Sequence, residues 1–213
     1  MFVKNKMTGN PFTISPDQTI PEAQEIMMQH NVRRLPVVKN GKLVGIVSKE
    51  DIERYSPSKA TALSMGEITY LLSKTKIKQI MSKHLITVSP DALLEEAAIL
   101  MRDNDVGFLP VVDDGKLVGI ITESDIFDSF IELLGFREQG TRLTIEAIDE
   151  PGIMSNLTSI IGEYGANITR VAVYRGSTGK SAIVVSLNSY NTAEIEKAIE
   201  EHGFTILYKI QNQ

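Results

Sequence analysis

Cysteine is absent from the 213 residues. That excludes disulfides, thiolate nucleophiles and cysteine-held zinc or iron–sulfur sites in one step. Histidine is scarce: His30, His84 and His202 are scattered, with no pair at the spacing of helical metal ligands. They read as polar surface or half-buried residues, and no metal site is expected. No apolar run approaches the roughly 20 residues that span a bilayer. The opening stretch, MFVKNKMTGNPF, holds no apolar core of a signal peptide, so a cytoplasmic location is expected. Basic excess is missing too. A formal net charge of −5 argues against nucleic acid or an anionic membrane as the main partner. Catalytic constellations are also lacking: there is no Ser-His-Asp, Cys-His or paired-acid arrangement, and no phosphate loop of the Walker type. An enzyme is therefore not expected, nor a cofactor. What remains is 42% hydrophobic and 23% charged, enough for a buried core in one large domain or two small ones.

An internal repeat organises the first two thirds. TISPDQTIPEAQEIM from Thr13 matches TVSPDALLEEAAILM from Thr87, and LPVVKNGKLVGIVSKEDI from Leu35 matches LPVVDDGKLVGIITESDI from Leu109. The alignment runs without a gap from Val3–Ile52 to Ile77–Ile126, and about 21 of 46 aligned positions from Met7 onward are identical. Ser15-Pro16-Asp17 and Ser89-Pro90-Asp91 read as turn and helix N-cap chemistry. Ile20, Ala23, Ile26 and Met27, like Leu94, Ala97, Ala98 and Met101, repeat with helical period. Short buried strands follow at Leu35–Val38 and Leu109–Val112. Asn40-Gly41 and Asp114-Gly115 supply the positive φ angles of tight hairpins. Return strands run from Leu43 and Leu117, and second helices start at Ser48 and Thr122. Each copy is thus β-α-β-β-α, too small to bury its own faces; two copies packed sheet to sheet resolve that.

This pattern resembles the CBS domain, which occurs in pairs, and it covers residues 1–130. The resemblance implies an adenine nucleotide or adenosyl ligand in clefts between the copies. Carried over residue by residue, it marks Gly45, Ser48 and Asp51 in the first copy and Gly119, Thr122 and Asp125 in the second. The strands at Thr13 and Pro36, and at Thr87 and Pro110, would line the adenine pockets. The chemistry fits: a hydroxyl can meet phosphate or ribose, and a carboxylate accepts from vicinal ribose hydroxyls. The same residues also suit plain helix capping. The copies differ in charge: Arg33, Arg34, Lys39 and Lys49 in the first align with Gly107, Phe108, Asp113 and Glu123. The first copy is the better anion site by sign, with Arg33 or Arg34 facing phosphate; both also suit a solvated edge or a dimer contact.

Residues 53–76 have no counterpart after the second copy. Ser56-Pro57-Ser58 reads as a break, and Leu63, Glu67, Tyr70 and Leu71 as a helix over 62–72 that bridges the halves. Beyond Gly135, a helix stop, and a linker at 136–140, the pattern becomes βαββαβ: strands near 142–148, 167–174, 181–187 and 204–208, helices after Gly152 and from Thr192 capped by Asn191 or Thr192. Gly176-Ser177-Thr178-Gly179 joins the central hairpin. The turn Asp149-Glu150-Pro151-Gly152 followed by Gly165-Ala166-Asn167-Ile168 is similar to the ACT domain. That resemblance implies dimerisation and an amino-acid ligand near Asp149, Gly152 and Asn167, where one chain meets the next; the three also suit turn-making alone. With this domain order the chain resembles the acetoin-utilisation protein B family. The expected architecture is α+β: CBS repeat 1 over 1–54, a helical linker over 55–76, CBS repeat 2 over 77–135 and an ACT domain over 141–213. The expected role is a regulatory homodimer or higher assembly acting on a separate metabolic protein.

Overall fold

The computed structural model describes residues 1–56, 64–176 and 179–212. The expected break at Pro57-Ser58, the start of the bridging helix at Ala62 and Leu63 and the hairpin residues Ser177-Thr178 lie outside these. The chain forms two compact units, Met1–Ile126 and Phe127–Gln213. None of the helices among the described residues is long and apolar enough to cross a membrane.

In the first unit, strand β1 is Thr8–Gly9, helix α1 is Ile20–Gln29, and strands β2 and β3 are Arg34–Lys39 and Lys42–Ser48. Helices α2 and α3 are Lys49–Tyr55 and Met65–Lys74. The second copy follows with α4 (Leu94–Asp103), β4 (Phe108–Asp113), β5 (Lys116–Thr122) and α5 (Glu123–Leu134), which runs on into the second unit. The helices obey the expected period: Ile20, Ala23 and Met27 are buried on α1, and Leu94, Ala97 and Met101 on α4. Both hairpins turn through positive φ, at Asn40 and Gly41 (51° and 76°) and at Asp114 and Gly115 (46° and 76°). The same register shift recurs at Val37/Val38 and Val111/Val112. The hairpins β2–β3 and β4–β5 belong to one hydrogen-bonded sheet, joined by a single bridge at Lys42 and Lys116.

The structure departs from the sequence reading in three places. First, Ser15 and Ser89 do not cap helices. Their hydroxyls accept from the backbone N–H of Asp17 and Asp91, closing local turns, and α1 starts later, at Thr19, whose side chain and backbone meet Glu22. Second, the first strand of each copy shrinks to one-residue parallel bridges, Ile14 to Val37 and Val88 to Val111. Third, α3 is capped by Ser64 with Glu67 and leaves Tyr70 and Leu71 exposed; Leu72 is the residue that packs on the first core.

The two copies exchange their leading segments. Val3 is fully buried in the core of Leu94, Leu109, Val111 and Ile121, which belongs to the second copy. Ile77 is fully buried in the core of Ile20, Leu35, Val47 and Ile52, which belongs to the first. The hydrogen bonds are reciprocal: Val3 N to Ala92 O (2.9 Å) and Lys4 N to Pro90 O (2.9 Å), Ile77 N to Gln18 O (2.9 Å) and Lys78 N to Pro16 O (3.0 Å). So are the ion pairs, Lys4 with Asp91 at 2.7 Å and Lys78 with Asp17 at 2.8 Å. Neither copy closes its core without a piece of the other, so the pair forms as one unit.

The second unit contains β6 (Gly140–Ile148), α6 (Ile153–Glu163), β7 (Ile168–Arg175), β8 (Lys180–Leu187), α7 (Ala193–Glu201) and β9 (Thr205–Asn212). The βαββαβ order gives an antiparallel sheet β7-β8-β6-β9. Leu143, Ile145, Ile183 and Val185 on its inner side meet Leu157 and Ile161 of α6 and Ile195 and Ile199 of α7.

Candidate functional site

In the first copy, sheet pairing sets the marked residues side by side. Arg34 pairs across the ladder with Ser48, and Pro36 with Ile46. The segment at Thr13 runs along β2, with Ile14 N bonded to Pro36 O at 3.0 Å and Val38 N to Ile14 O at 2.9 Å. The second copy reproduces this: Phe108 pairs with Thr122, and Val88 N bonds to Pro110 O at 3.1 Å. Pro36 and Pro110 are buried, whereas Thr13 and Thr87 are exposed. No hydrogen bond to either threonine occurs among the described residues. Each copy therefore sets an exposed threonine beside a buried apolar strand, which suits the rim of a pocket for a flat base.

Ser48 is the buried N-cap of α2. Its N–H and hydroxyl both donate to Asp51 Oδ2, at 2.9 and 2.6 Å, and its Oγ accepts from Asp51 N at 3.0 Å. Thr122 and Asp125 repeat this box, with Thr122 N and Oγ1 at 2.8 and 2.7 Å from Asp125 Oδ2. The capping role anticipated as an alternative is thus present in both copies. It does not exclude a ligand role, because capping uses one carboxylate oxygen and fixes the other. Asp51 Oδ1 stands 3.8 Å from the exposed Arg54, and the side chain is 20% exposed. A carboxylate so held can accept from ribose hydroxyls without reordering.

Gly45 and Gly119 have a different explanation from the one their motif suggests. A Cβ on Gly45 would stand 2.5 Å from Met81 Sδ and 3.0 Å from Ser82 O; on Gly119 it would stand 2.5 Å from Met7 Sδ and 3.0 Å from Thr8 O. The close approach that glycine permits there is taken by the exchanged segments of the chain itself. Sequence reasoning missed these methionines, although Met7 and Met81 are an identical pair in the repeat.

Arg34 is half-buried and its guanidinium lies 5.1 Å from the centre of the Phe108 ring in the other copy, in cation–π range. The Glu50 carboxyl is held below its ordinary value, first by its own backbone N–H and the Ser48 hydroxyl against the cost of burial, then by the charges of Arg34 and Arg33.

In the second unit the three marked residues do not converge. Asp149 accepts from Arg175 Nε at 3.1 Å, and its N–H bonds to Gly179 O, next to the Lys180 end of β8. Gly152, with φ 91°, starts α6 at that same end. Asn167 lies at the other end, its N–H bonded to Asn188 Oδ1 at 3.0 Å beyond Leu187. Eight strand residues separate the ends by about 24 Å. A groove of about 360 Å³ beside α6 is lined by Ile153, Asn156, Glu163, His202 and Phe204, among others, and by none of the three.

Sequence comparison agrees with this architecture. Residues 3–58 and 77–132 match the CBS domain model, so the chain belongs to the CBS-domain family. Within it, the chain is a tandem CBS pair followed by an ACT domain, which matches over residues 141–204. Both domain types are regulatory modules. Three solved structures are similar. The CBS pair of protein MJ0100, in complex with 5′-methylthioadenosine and S-adenosyl-L-methionine, is 32% identical over 61% of this chain and 95% of that one, with TM-score 0.50. CBSX2 in complex with AMP is 30% identical over 62% and 96%, with TM-score 0.50. A Vibrio cholerae protein described as an acetoin utilization protein (AcuB) is 34% identical over 65% and 96%, with TM-score 0.53.

Proposed function

We propose that this chain is a regulatory sensor, not an enzyme, that binds an adenine nucleotide of the AMP, ADP or ATP type in its CBS pair and regulates a separate metabolic protein in acetoin utilisation. One observation carries the reading: in each copy an exposed threonine precedes the segment that bonds to a buried proline strand, and that strand pairs with the one whose end is capped by a fixed carboxylate. The base would lie against Thr13 and Pro36, or Thr87 and Pro110. The ribose would meet Asp51 or Asp125, and phosphate would meet Ser48 or Thr122, with Arg34 as counter-charge on the first copy. Gly45 and Gly119 shape the wall from behind. Adenosine compounds in the similar MJ0100 and CBSX2 structures support the ligand class, and likeness to the Vibrio protein supports the process. The ligand is regulatory, no cofactor is required, and the working form is a cytoplasmic homodimer or higher assembly. Isothermal titration with AMP, ADP and ATP tests the reading; binding lost in Asp51→Ala and Asp125→Ala supports it, and no heat from any adenosine compound refutes it.

A second reading makes the ACT domain an amino-acid sensor and the CBS pair a dimer scaffold. The separation of Asp149 and Gly152 from Asn167 bears on it: a ligand touching all three requires two chains. Amino-acid binding that appears only in the dimer would favour it.

A further inference from the structure

The groove of about 360 Å³ in the second unit is acidic at both ends. Glu150 lines it just before α6, and Glu163, the last residue of α6, lines it too. The helix rises about 15 Å between Ile153 and Glu163, so the two carboxylates stand far apart along one channel. Neither side chain makes a hydrogen bond or ion pair among the described residues. Between them lies an apolar floor, in which Ile160 and Phe204 are 5% and 6% exposed. His202, which closes α7, also lines the groove, and its Nδ1 lies 2.8 Å from Ala198 O. A carbonyl only accepts, so the neutral ring carries its hydrogen on Nδ1 and keeps Nε2 as an acceptor. No lysine or arginine is among the described residues that line the groove. Its two carboxylates are therefore left unneutralised, and its free polar groups are rich in acceptors.

We propose that this groove binds a free linear aliphatic polyamine, a triamine or tetraamine, extended along α6 with an ammonium group at each glutamate. An ammonium group has three donors and no acceptor, which matches two carboxylates and an imidazole lone pair. The methylene stretches between the nitrogens cover Ile160 and Phe204, as the stem of a lysine covers apolar surface. One metal ion cannot serve both ends, because each oxygen ligand must stand within about 2.6 Å of it. An amino acid fits less well for a different reason: its carboxylate would enter between two like charges with no cation beside it. The volume is at the lower end of the range for small-molecule sites, as an unbranched chain requires. The groove belongs wholly to the second unit, so the proposal does not depend on the adenosine reading.

The test is calorimetric titration of the full chain with putrescine, spermidine, spermine and the common amino acids. Nucleotide is left out, because its phosphates would themselves pair with the amines. Spermine is expected to bind once per chain and more tightly than spermidine, and putrescine most weakly, because so short a diamine reaches only one glutamate. Glu150→Gln and Glu163→Gln keep the shape and remove the charge, and both positions are exposed. Each should weaken spermine about fivefold, as expected on losing an exposed ion pair. Glu194→Gln removes an exposed charge of α7 that does not line the groove, and should leave the affinity unchanged. A thermal melt confirms that each variant is folded. An equal loss in all three variants, or full displacement of spermine by magnesium at matched ionic strength, would show diffuse attraction to an acidic chain and overturn the proposal. Equal affinity for the three amines, no heat from spermine, or an amino acid whose binding the two groove variants abolish would overturn it as well.

Discussion

Met81 lies across Gly45, with its sulfur 2.5 Å from where a Cβ on that glycine would be. Met81 belongs by sequence to the second copy and packs with the core of the first. The thioether can swing aside, but Ser82 O, 3.0 Å from the same point, is tied to Ile46 N. Gly45→Ala should therefore cost about 1–3 kcal/mol by overpacking, and less in a Met81→Ala background. Urea unfolding of the four chains of that cycle measures the coupling, and a neutral Gly45→Ala would contradict this packing.

The exchange of leading segments makes a second prediction. Val3→Ala should cost about 2 kcal/mol, because it empties part of a closed core. Lys4→Ala should cost under about 1 kcal/mol, since its pair with Asp91 is solvent-exposed. Hydrogen exchange distinguishes the copies: Val3→Ala should deprotect amides of β4 and β5 before those of β2 and β3. The reverse order would place Val3 with its own repeat.

Thr141 and Ser181 have buried hydroxyls with no hydrogen-bond partner among the described residues. An unpaired buried hydroxyl costs more than it returns. Thr141→Val, which keeps the shape, should raise stability by about 1 kcal/mol in chemical denaturation. A loss of stability would reveal a hidden partner.

Much of this was legible in the sequence, because the repeat doubles every signal. The hairpin turns at Asn40-Gly41 and Asp114-Gly115, the buried faces of α1 and α4 and the βαββαβ order all follow from local chemistry. The segment exchange was not legible. A string aligned to itself pairs Val3 with Ile77 but does not say which core each enters; that choice is long-range. Ser15 closes the turn the sequence indicated but does not cap the helix, because the Thr19–Glu22 box captured the start of α1. At the site, Ser48 and Asp51 read equally as cap and ligand, and the structure gives a physical reason: one carboxylate oxygen serves the cap and the other, 3.8 Å from Arg54, does not. Arg34 was legible as charge but not as a contact with Phe108, because only the fold brings equivalent positions together.

Glu196 gives a pH prediction. Burial raises its pKa, but hydrogen bonds from Lys209 at 2.6 Å and from Thr192, with the Lys209 charge, lower it further, so the folded value is depressed. A depressed carboxylate contributes stability that is present above its unfolded value, near 4.5, and is lost as pH falls through the folded value. Melting curves of Glu196→Gln should therefore fall less steeply than those of the parent below about pH 4.5. Parallel curves would remove Glu196 from the acid response.

The most direct measurement is a thermal-shift screen of the intact chain against adenine nucleotides, S-adenosylmethionine and the common amino acids on one plate. A ligand at about 100 times its dissociation constant stabilises by roughly 2.7 kcal/mol, which raises the midpoint by a few degrees. Each variant is read against its own ligand-free melt, since Asp51→Ala also removes a cap worth about 0.5–2 kcal/mol. The account predicts that an adenosine compound raises the midpoint, and that the rise disappears when Asp51 and Asp125 are both replaced by alanine. A rise with an amino acid and with no adenosine compound would contradict it, making the ACT domain the sensor and leaving the two carboxylates as helix caps.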